Sequence, residues 1–389
     1  MKALHIITGL GIGGAEQQLR LMIRHLPVHS DVVTLTNPGP VAEALTADGV
    51  RVVHLGMTGN RDLRALPRLV SLIHSGGYDL VHTHLYRACL YGRLAARLAG
   101  VRAVVATEHS LGESRMEGRP LTAGVRGLYL AGERLGRATV AVSPTVAERL
   151  GRWGVPRQRI HVVPNGIDSG VLRFDPVARR AVRERYGVPA DAYVVGAVGR
   201  LVPGKRFDQL VDALTELPSG VRLMIVGAGP ELPALRERAR RAGVMDRVVL
   251  TGETRPPLPR PAAPAAGPGT PPVAPAAPGP PALAALLSAM DVLASPSPEE
   301  AFGLAAVEAL AAGLPVRYVD CPALEDLPPG AARGAERVAP GPAAFADAVR
   351  RLRDAGPRER TVPDAVHHYG IARSAEQLTR VYASVLDRP

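Results

Sequence analysis

From its first residues the chain alternates short apolar runs with longer segments of helical period. Ala3–Thr8, Asp31–Thr36, Val50–Leu55, Asp79–Thr83, Ala103–Thr107, Thr139–Val142 and Ile160–Val163 read as strands. Between them Glu16–Leu26, Val41–Asp48, Leu63–His74 and Cys89–Ala99 place apolar residues at helical spacing. Strands alternating with helices predict a parallel sheet covered on both faces. The pattern then restarts: Tyr193–Val198, Arg222–Val226, Arg247–Leu250 and Val292–Ala294 read as strands, with helices over Phe207–Thr215, Glu231–Arg241 and Ala305–Ala312. Two late helices follow at Phe345–Arg353 and Ala375–Leu386. The expected fold is α/β, with two doubly wound halves joined near residues 170–190. In such sheets a ligand binds at the carboxyl ends of the strands, here in the cleft between the halves.

One segment interrupts this pattern. Residues 255–281 hold 12 of the 37 prolines, and the rest is mostly Ala and Gly. Such a stretch lacks the backbone donors and side chains for a packed element, so it reads as a flexible insertion. Composition then narrows the chemistry. Hydrophobic residues make up 46% of the 389, enough for sizeable cores, whereas aromatics at 4% argue against a stacking platform for nucleic acid. The net charge of +11 is uneven, because residues 1–170 carry 20 basic and 12 acidic side chains. Only two of the 47 basic residues are lysines, Lys2 and Lys205, which singles out Lys205 in an arginine-biased chain. Cys89 and Cys321 stand far apart in no paired spacing, so neither a disulfide framework nor a cysteine zinc site is expected, and a cytoplasmic setting is the default. No apolar run reaches the ~18 residues of a membrane span.

Three stretches carry candidate chemistry. Gly9-Leu10-Gly11-Ile12-Gly13-Gly14-Ala15-Glu16 follows a strand and opens a helix, where backbone amides and the helix dipole favour an anion. Its glycines also fit a dinucleotide fingerprint, but the second strand ends Thr34-Leu35-Thr36-Asn37, without the carboxylate that would hold a ribose. An NAD-dependent oxidoreductase is therefore disfavoured. Gly199-Arg200-Leu201-Val202-Pro203-Gly204-Lys205 follows a strand and presents a planar guanidinium and a compact ammonium that can converge on one diphosphate. Glu300 and Glu308 flank Phe302-Gly303-Leu304 at a helix start. As a pair they suit sugar hydroxyls, a glycosidic bond to be hydrolysed, or simply a solvated surface, and spacing alone does not choose among these.

Taken together, Gly13-Gly14-Ala15-Glu16, His82-Thr83-His84, Thr107-Glu108-His109, Val142-Ser143, Asn165-Gly166-Ile167-Asp168, Gly199-Arg200-Leu201 with Lys205, and Glu300 through Glu308 resemble the GT-B glycosyltransferases of family 4. The match runs over most of the chain. It implies two Rossmann-like domains, an acceptor-side domain over 1–175 completed by a final helix over 370–389, and a nucleotide-sugar domain over 190–369. It further implies a retaining hexosyltransferase-type enzyme that moves a sugar from a nucleotide diphosphate sugar to a hydroxyl acceptor, with no cofactor. Arg200 and Lys205 would bind the diphosphate, Glu300 the donor sugar and Glu308 the ribose. Backbone amides around Phe302, Gly303 and Leu304 would extend the phosphate site. His109 would sit beside the donor sugar, and Gly13 and Gly14 would line the opposite wall.

His82 and His84 stay open as structural or acceptor-side residues, and neither is spaced with a carboxylate as metal ligands are, so no metal is expected. An epimerase of the same fold is the alternative reading. The family's Gly-rich turn with Pro-Glu is replaced here by Asp320-Cys321-Pro322-Ala323-Leu324-Glu325-Asp326. Arg115, Arg119, Arg126, Arg134 and Arg137 among Leu111, Leu121, Leu128, Tyr129 and Leu130 suggest a surface for anionic lipid at the inner membrane face. The acceptor would then be a lipid-linked glycan, and otherwise a secondary-metabolite scaffold. No nucleic acid partner is expected.

Overall fold

The computed structural model describes residues 1–59, 62–113, 115–117, 119–254 and 281–387, with the side chains of Arg115 and Arg119 outside that set. All but the last residue of the proline-rich segment 255–281 lie outside the described residues.

The first half builds strands β1 (Lys2–Ile7), β2 (His29–Thr34), β3 (Val52–His54), β4 (Leu80–His84) and β5 (Val104–Glu108). A short antiparallel hairpin follows, β6 (Arg115–Met116) with β7 (Arg119–Pro120), and then β8 (Ala138–Ala141) and β9 (Ile160–Val162). The second half builds β10 (Tyr193–Val198), β11 (Val221–Val226), β12 (Val248–Gly252), β13 (Val292–Ser295), β14 (Val316–Tyr318) and β15 (Ala335–Arg337). Two sheets result, ordered β3-β2-β1-β4-β5-β8-β9 and β12-β11-β10-β13-β14-β15, and every pairing within them is parallel. Burial on both faces explains the near-continuous apolar runs: all of β4, β5 and β8 is buried. In each sheet the order reverses beside the first strand, at β1/β4 and β10/β13, which opens a crevice at the strands' carboxyl ends.

Local chemistry sets several boundaries. Ser143 accepts from the Val146 amide and Pro144 opens the helix Pro144–Trp153, which Gly154 closes in the left-handed conformation. Asp175 likewise caps Pro176–Arg185 by accepting from the amides of Val177 and Ala178. The last helix, Ile371–Leu386, returns to the first sheet, where Leu378, Val381, Tyr382 and Val385 pack with Ala3, Leu80, Val105 and Val140.

The structure adds elements that periodicity did not reveal. Helices span Ala123–Glu133, Pro144–Trp153, Pro176–Arg185, Leu283–Ala289, Pro322–Glu325 and Asp364–His368, and β14 and β15 extend the second sheet. The first of these helices carries Gly124, Gly127 and Gly132, which mask its propensity, and β14 and β15 are only three residues long. Strand β4 also runs one residue further than its sequence suggests, which places His84 at its carboxyl end.

Candidate active site

Both glycine-rich loops follow strands, Glu300 lies on the loop after β13, and Glu308 lies in the helix that this loop opens. Arg200 follows β10 and is exposed, and its side chain makes no hydrogen bond or ion pair among the described residues. Its loop is supported from below by the turn after β11. Gly227 takes φ 143°, and a Cβ there would run into the carbonyl of Gly199. Lys205 closes the one-turn helix Pro203–Lys205, and its Nζ pairs with Glu300 Oε1. The two residues are 95 positions apart, yet the fold seats them as one ion pair.

The peptide of Glu300 is held on both sides. Its N–H donates to Asp320 Oδ2 at 2.6 Å, and its carbonyl accepts from Arg149 Nη1 at 3.0 Å. Asp320 belongs to the turn that departs from the family pattern, so that turn still serves the donor loop through a side chain. Burial pushes the Asp320 carboxyl up, with the Glu300 amide opposing. Phe302 is buried edge-on against Tyr369, with ring centroids 5.0 Å apart, so only its main chain faces the ligand region. Gly303 takes φ 99°, and a Cβ there would meet Cys321 Sγ; glycine therefore lets the chain turn directly into Leu304–Ala311. Leu304 opens this helix, so its amide has no intrahelical acceptor and suits an anion. Glu308 lies just over one turn along, half-buried, and its carboxyl has no partner among the described residues. Desolvation raises it to about 7.

The opposite wall comes from the first half. A Cβ on Gly14 would lie 3.4 Å from Leu304 Cδ1, so the helix Gly14–His25 begins directly against the donor helix. Glu16, in its first turn, is raised by burial and lowered by nearby Arg200 across the cleft. His109 follows β5, with Nε2 3.1 Å from His84 Nδ1. The remaining histidine of interest, His82, plays a different part. His82 Nδ1 lies 2.6 Å from Tyr382 Oη and Nε2 lies 2.7 Å from Thr107 Oγ1, so His82 ties the final helix to the sheet.

Some contacts that shape the site gave no signal in the sequence. Arg149, only 6% exposed, donates to Leu111 O at 3.1 Å as well as to Glu300, and so bridges the halves. Ser143 Oγ donates to Ala301 O at 2.8 Å, and Thr145 Oγ1 to Asp326 Oδ1 at 3.2 Å. Glu117, at φ 51°, accepts the Tyr86 amide where the helix Tyr86–Leu98 begins. All five contacts join positions far apart in sequence.

The arginine-rich surface changes character on folding. Arg126 donates to the carbonyls of Trp153 and Arg152, and Arg137 to that of Val385. Leu111 and Tyr129 are core residues, whereas Leu128 is 54% exposed. Folding buries two of the five expected apolar residues, and two of the cations donate to carbonyls at helix ends.

This architecture, two parallel sheets facing across a cleft with the last helix crossing back, is that of the GT-B glycosyltransferases. Residues 12–170 match the profile of Glycosyltransferase Family 4, and residues 192–265 and 274–354 match that of Glycosyl transferases group 1. The chain is 33% identical over 333 residues to the D-inositol 3-phosphate glycosyltransferase of Xylanimonas cellulosilytica, covering 80% of this chain and 73% of that one. It is 31% identical over 268 residues to the 2-deoxystreptamine glucosyltransferase of Streptomyces kanamyceticus, covering 65% and 62%. Among solved structures, Anabaena HepE in complex with UDP-glucose superposes with a TM-score of 0.81 at 21% identity, over 99% of this chain and 100% of that one. The chain belongs to glycosyltransferase family 4, and it is a glycosyltransferase.

Proposed function

We propose that the protein transfers a sugar from a nucleotide diphosphate sugar to a hydroxyl of a small polyol, with retention at the anomeric carbon and without a metal. The observation that carries this reading is the Lys205–Glu300 ion pair beside Arg200 and Glu308, whose side chains have no hydrogen-bond or ion-pair partner among the described residues. Two cations and a helix N-terminus meet the diphosphate, and two carboxylates accept hydroxyls of the sugar and of the ribose. As the glycosidic bond to the diphosphate breaks, negative charge grows on the leaving oxygen, and Arg200, Lys205 and the Leu304 amide stabilise it in place. Among the described residues the ion pair with Lys205 engages the Glu300 carboxylate, which argues against its acting as a covalent nucleophile. Front-face displacement, with the acceptor hydroxyl entering where the diphosphate leaves, follows.

HepE was solved with UDP-glucose, which makes UDP-glucose the first donor to try. The acceptors named for the two relatives, D-inositol 3-phosphate and 2-deoxystreptamine, are both hydroxylated six-membered carbocycles. They support a soluble polyol over a lipid-linked glycan, as does the engagement of Arg126 and Arg137 with carbonyls.

The test is incubation with a panel of nucleotide sugars and polyols in EDTA, read by nucleoside diphosphate release and by NMR of the new anomeric centre. The expected product keeps the donor's anomeric configuration, and EDTA leaves the rate unchanged. An inverted product or a chelator-sensitive rate contradicts the mechanism. A donor isomerised without acceptor would establish the epimerase instead.

A further inference from the structure

The chain passes between the two halves twice, and the two crossings run side by side. Residues 165–168 leave the first half after β9, and residues 369–371 return to it where the last helix begins. The Ile167 N–H donates to the Tyr369 carbonyl at 2.8 Å, and the Ile371 N–H donates to the Ile167 carbonyl at 3.0 Å. These bonds make a parallel bridge between Ile167 and Gly370. Gly166 permits the close approach, since a Cβ there would lie 2.6 Å from Ile371 Cα. A rotation of one half against the other pivots on this pair of strands.

The first half grips the crossing through Gln18, which is 5% exposed in the helix Gly14–His25. Its Nε2 donates to the Gly166 carbonyl at 2.7 Å, and its Oε1 accepts the Gly166 N–H at 3.0 Å. One planar amide thus satisfies both backbone groups of a single residue, as a neighbouring strand would. An ionised carboxylate could not, because it has no donor.

Tyr369 grips the second half. Its hydroxyl donates to the Ala323 carbonyl at 2.7 Å, and its ring meets Phe302 edge-on. The Ala323 N–H in turn donates to the Phe302 carbonyl at 2.8 Å. Phe302 stands between Glu300 and Leu304, so the crossing is held against the loop that carries the donor groups.

The helix of Gln18 begins in the cleft. Gly14 in its first turn faces Leu304, and Glu16 lies close enough to Arg200 to feel its charge. Tying Gln18 to Gly166 therefore sets the angle at which this helix meets the donor loop.

We propose that Gln18 and Tyr369 are positioning residues for glycosyl transfer, which act through the paired crossings to set the acceptor wall against the donor loop. Both are buried, at 5% and 3% exposed, so they act through the chain and not on a ligand. The gap between the attacking hydroxyl and the anomeric carbon is then a property of this clamp. Rate is steep in that gap, because a misplacement of ~1 Å costs about a hundredfold. Donor binding is not, since Arg200, Lys205, Glu300 and Glu308 all belong to the second half. The kinetic half of this proposal rests on the donor reading above, and the clamp itself does not.

The test joins a distance to a rate. Spin labels at Leu98→Cys and Arg241→Cys, exposed positions on the two halves, report their separation by double electron–electron resonance. Cys89 and Cys321 are buried and so shielded from labelling. Gln18→Met removes both bonds to Gly166 at nearly constant length. Tyr369→Phe removes only the hydroxyl bond and keeps the ring against Phe302, so it judges the proposal by itself if Gln18→Met does not fold. The parent distance should be single and narrow, and each variant should broaden it. Each should lower kcat for transfer from UDP-glucose to a polyol roughly tenfold, with donor affinity by isothermal titration unchanged. The double variant should lose no more than the worse single one, because both break the same connection, whereas independent sites would multiply.

Narrow, parent-like distances in the folded variants would overturn the clamp. Broadened distances with a normal kcat, donor affinity that falls as far as kcat, or multiplying losses in the double variant would overturn the positioning role. If the parent protein neither binds nor turns over any nucleotide sugar, the donor reading fails, while the distances still judge the clamp.

Discussion

The two walls of the cleft solve different problems with different chemistry. The second half presents charge: Lys205 paired with Glu300, and Arg200 and Glu308 without a hydrogen-bond or ion-pair partner among the described residues. The first half presents neutral rings and backbone, with His109, lowered to about 4 by desolvation, backed by His84 and His5, and Gly14 set against Leu304. Charge belongs where a diphosphate departs, because fixed cations there stabilise charge that develops only as the bond breaks. Neutral hydrogen-bonding groups belong where hydroxyls are oriented, since a cation there would bind the ground state as well. Activity should therefore be most sensitive on the donor wall and progressively less so away from it.

Arg200→Ala is expected to give the largest loss after Lys205, about a hundredfold in kcat, which corresponds to about 3 kcal/mol. Its side chain makes no hydrogen bond or ion pair among the described residues, so the melting temperature should hardly move; a normal kcat would remove it from the donor wall. Arg149→Met should sharpen the comparison, because it cuts a link between the walls rather than either wall itself. Losing the hydrogen bond to the Glu300 carbonyl, worth about 1.5 kcal/mol for a charged donor, should raise KM for the donor roughly tenfold with a smaller effect on kcat. Steady-state kinetics with varied donor decide this, and an unchanged KM would mean that Glu300 is held well enough by Asp320.

Glu308 gives a pH signature. Burial raises its carboxyl to about 7, so it is mostly neutral below that value and ionised above it. Ribose hydroxyls donate best to the carboxylate, and donor affinity should therefore rise as pH increases through about 7. Glu308→Gln should flatten that rise, as isothermal titration across pH 6–8 (roughly one unit either side of the shifted value) would show. A wild-type affinity that falls over this range would contradict the assignment. The smallest effect is expected at Arg126→Ala, which removes bonds to the last carbonyls of the helix Pro144–Trp153. It should cost about 0.5 kcal/mol of stability and leave turnover intact. Loss of binding to acidic vesicles in that variant would instead revive the membrane reading.

The two walls also differ in how far they could be read from sequence. The donor wall was legible because its groups lie in short contiguous stretches after strands: Gly199 to Lys205, and Glu300 to Glu308. Position at a strand end and resemblance to a family were enough to single these residues out as candidates. Arg149 was not legible, since nothing local distinguishes it from the other arginines until the fold sets Leu111 and Glu300 around its guanidinium. The row of rings behind His109 was hidden for the same reason. His5, His84 and His109 come from three strands whose order in the sheet, not in the chain, makes them neighbours. The arginine-rich segment changes on folding in ways its composition does not reveal, since Tyr129 turns inward and Arg126 donates to helix-end carbonyls while Leu128 stays exposed.

The central claim is that the Lys205–Glu300 pair marks the site where a nucleotide diphosphate sugar is broken. Its most direct test is nucleoside diphosphate release by the wild type and by Lys205→Ala, side by side, over a panel of nucleotide sugars with a polyol acceptor. The account predicts release from at least one donor by the wild type and a loss of about a hundredfold or more in the variant, with folding unchanged. Equal rates in the two proteins, or no release from any donor, would contradict it.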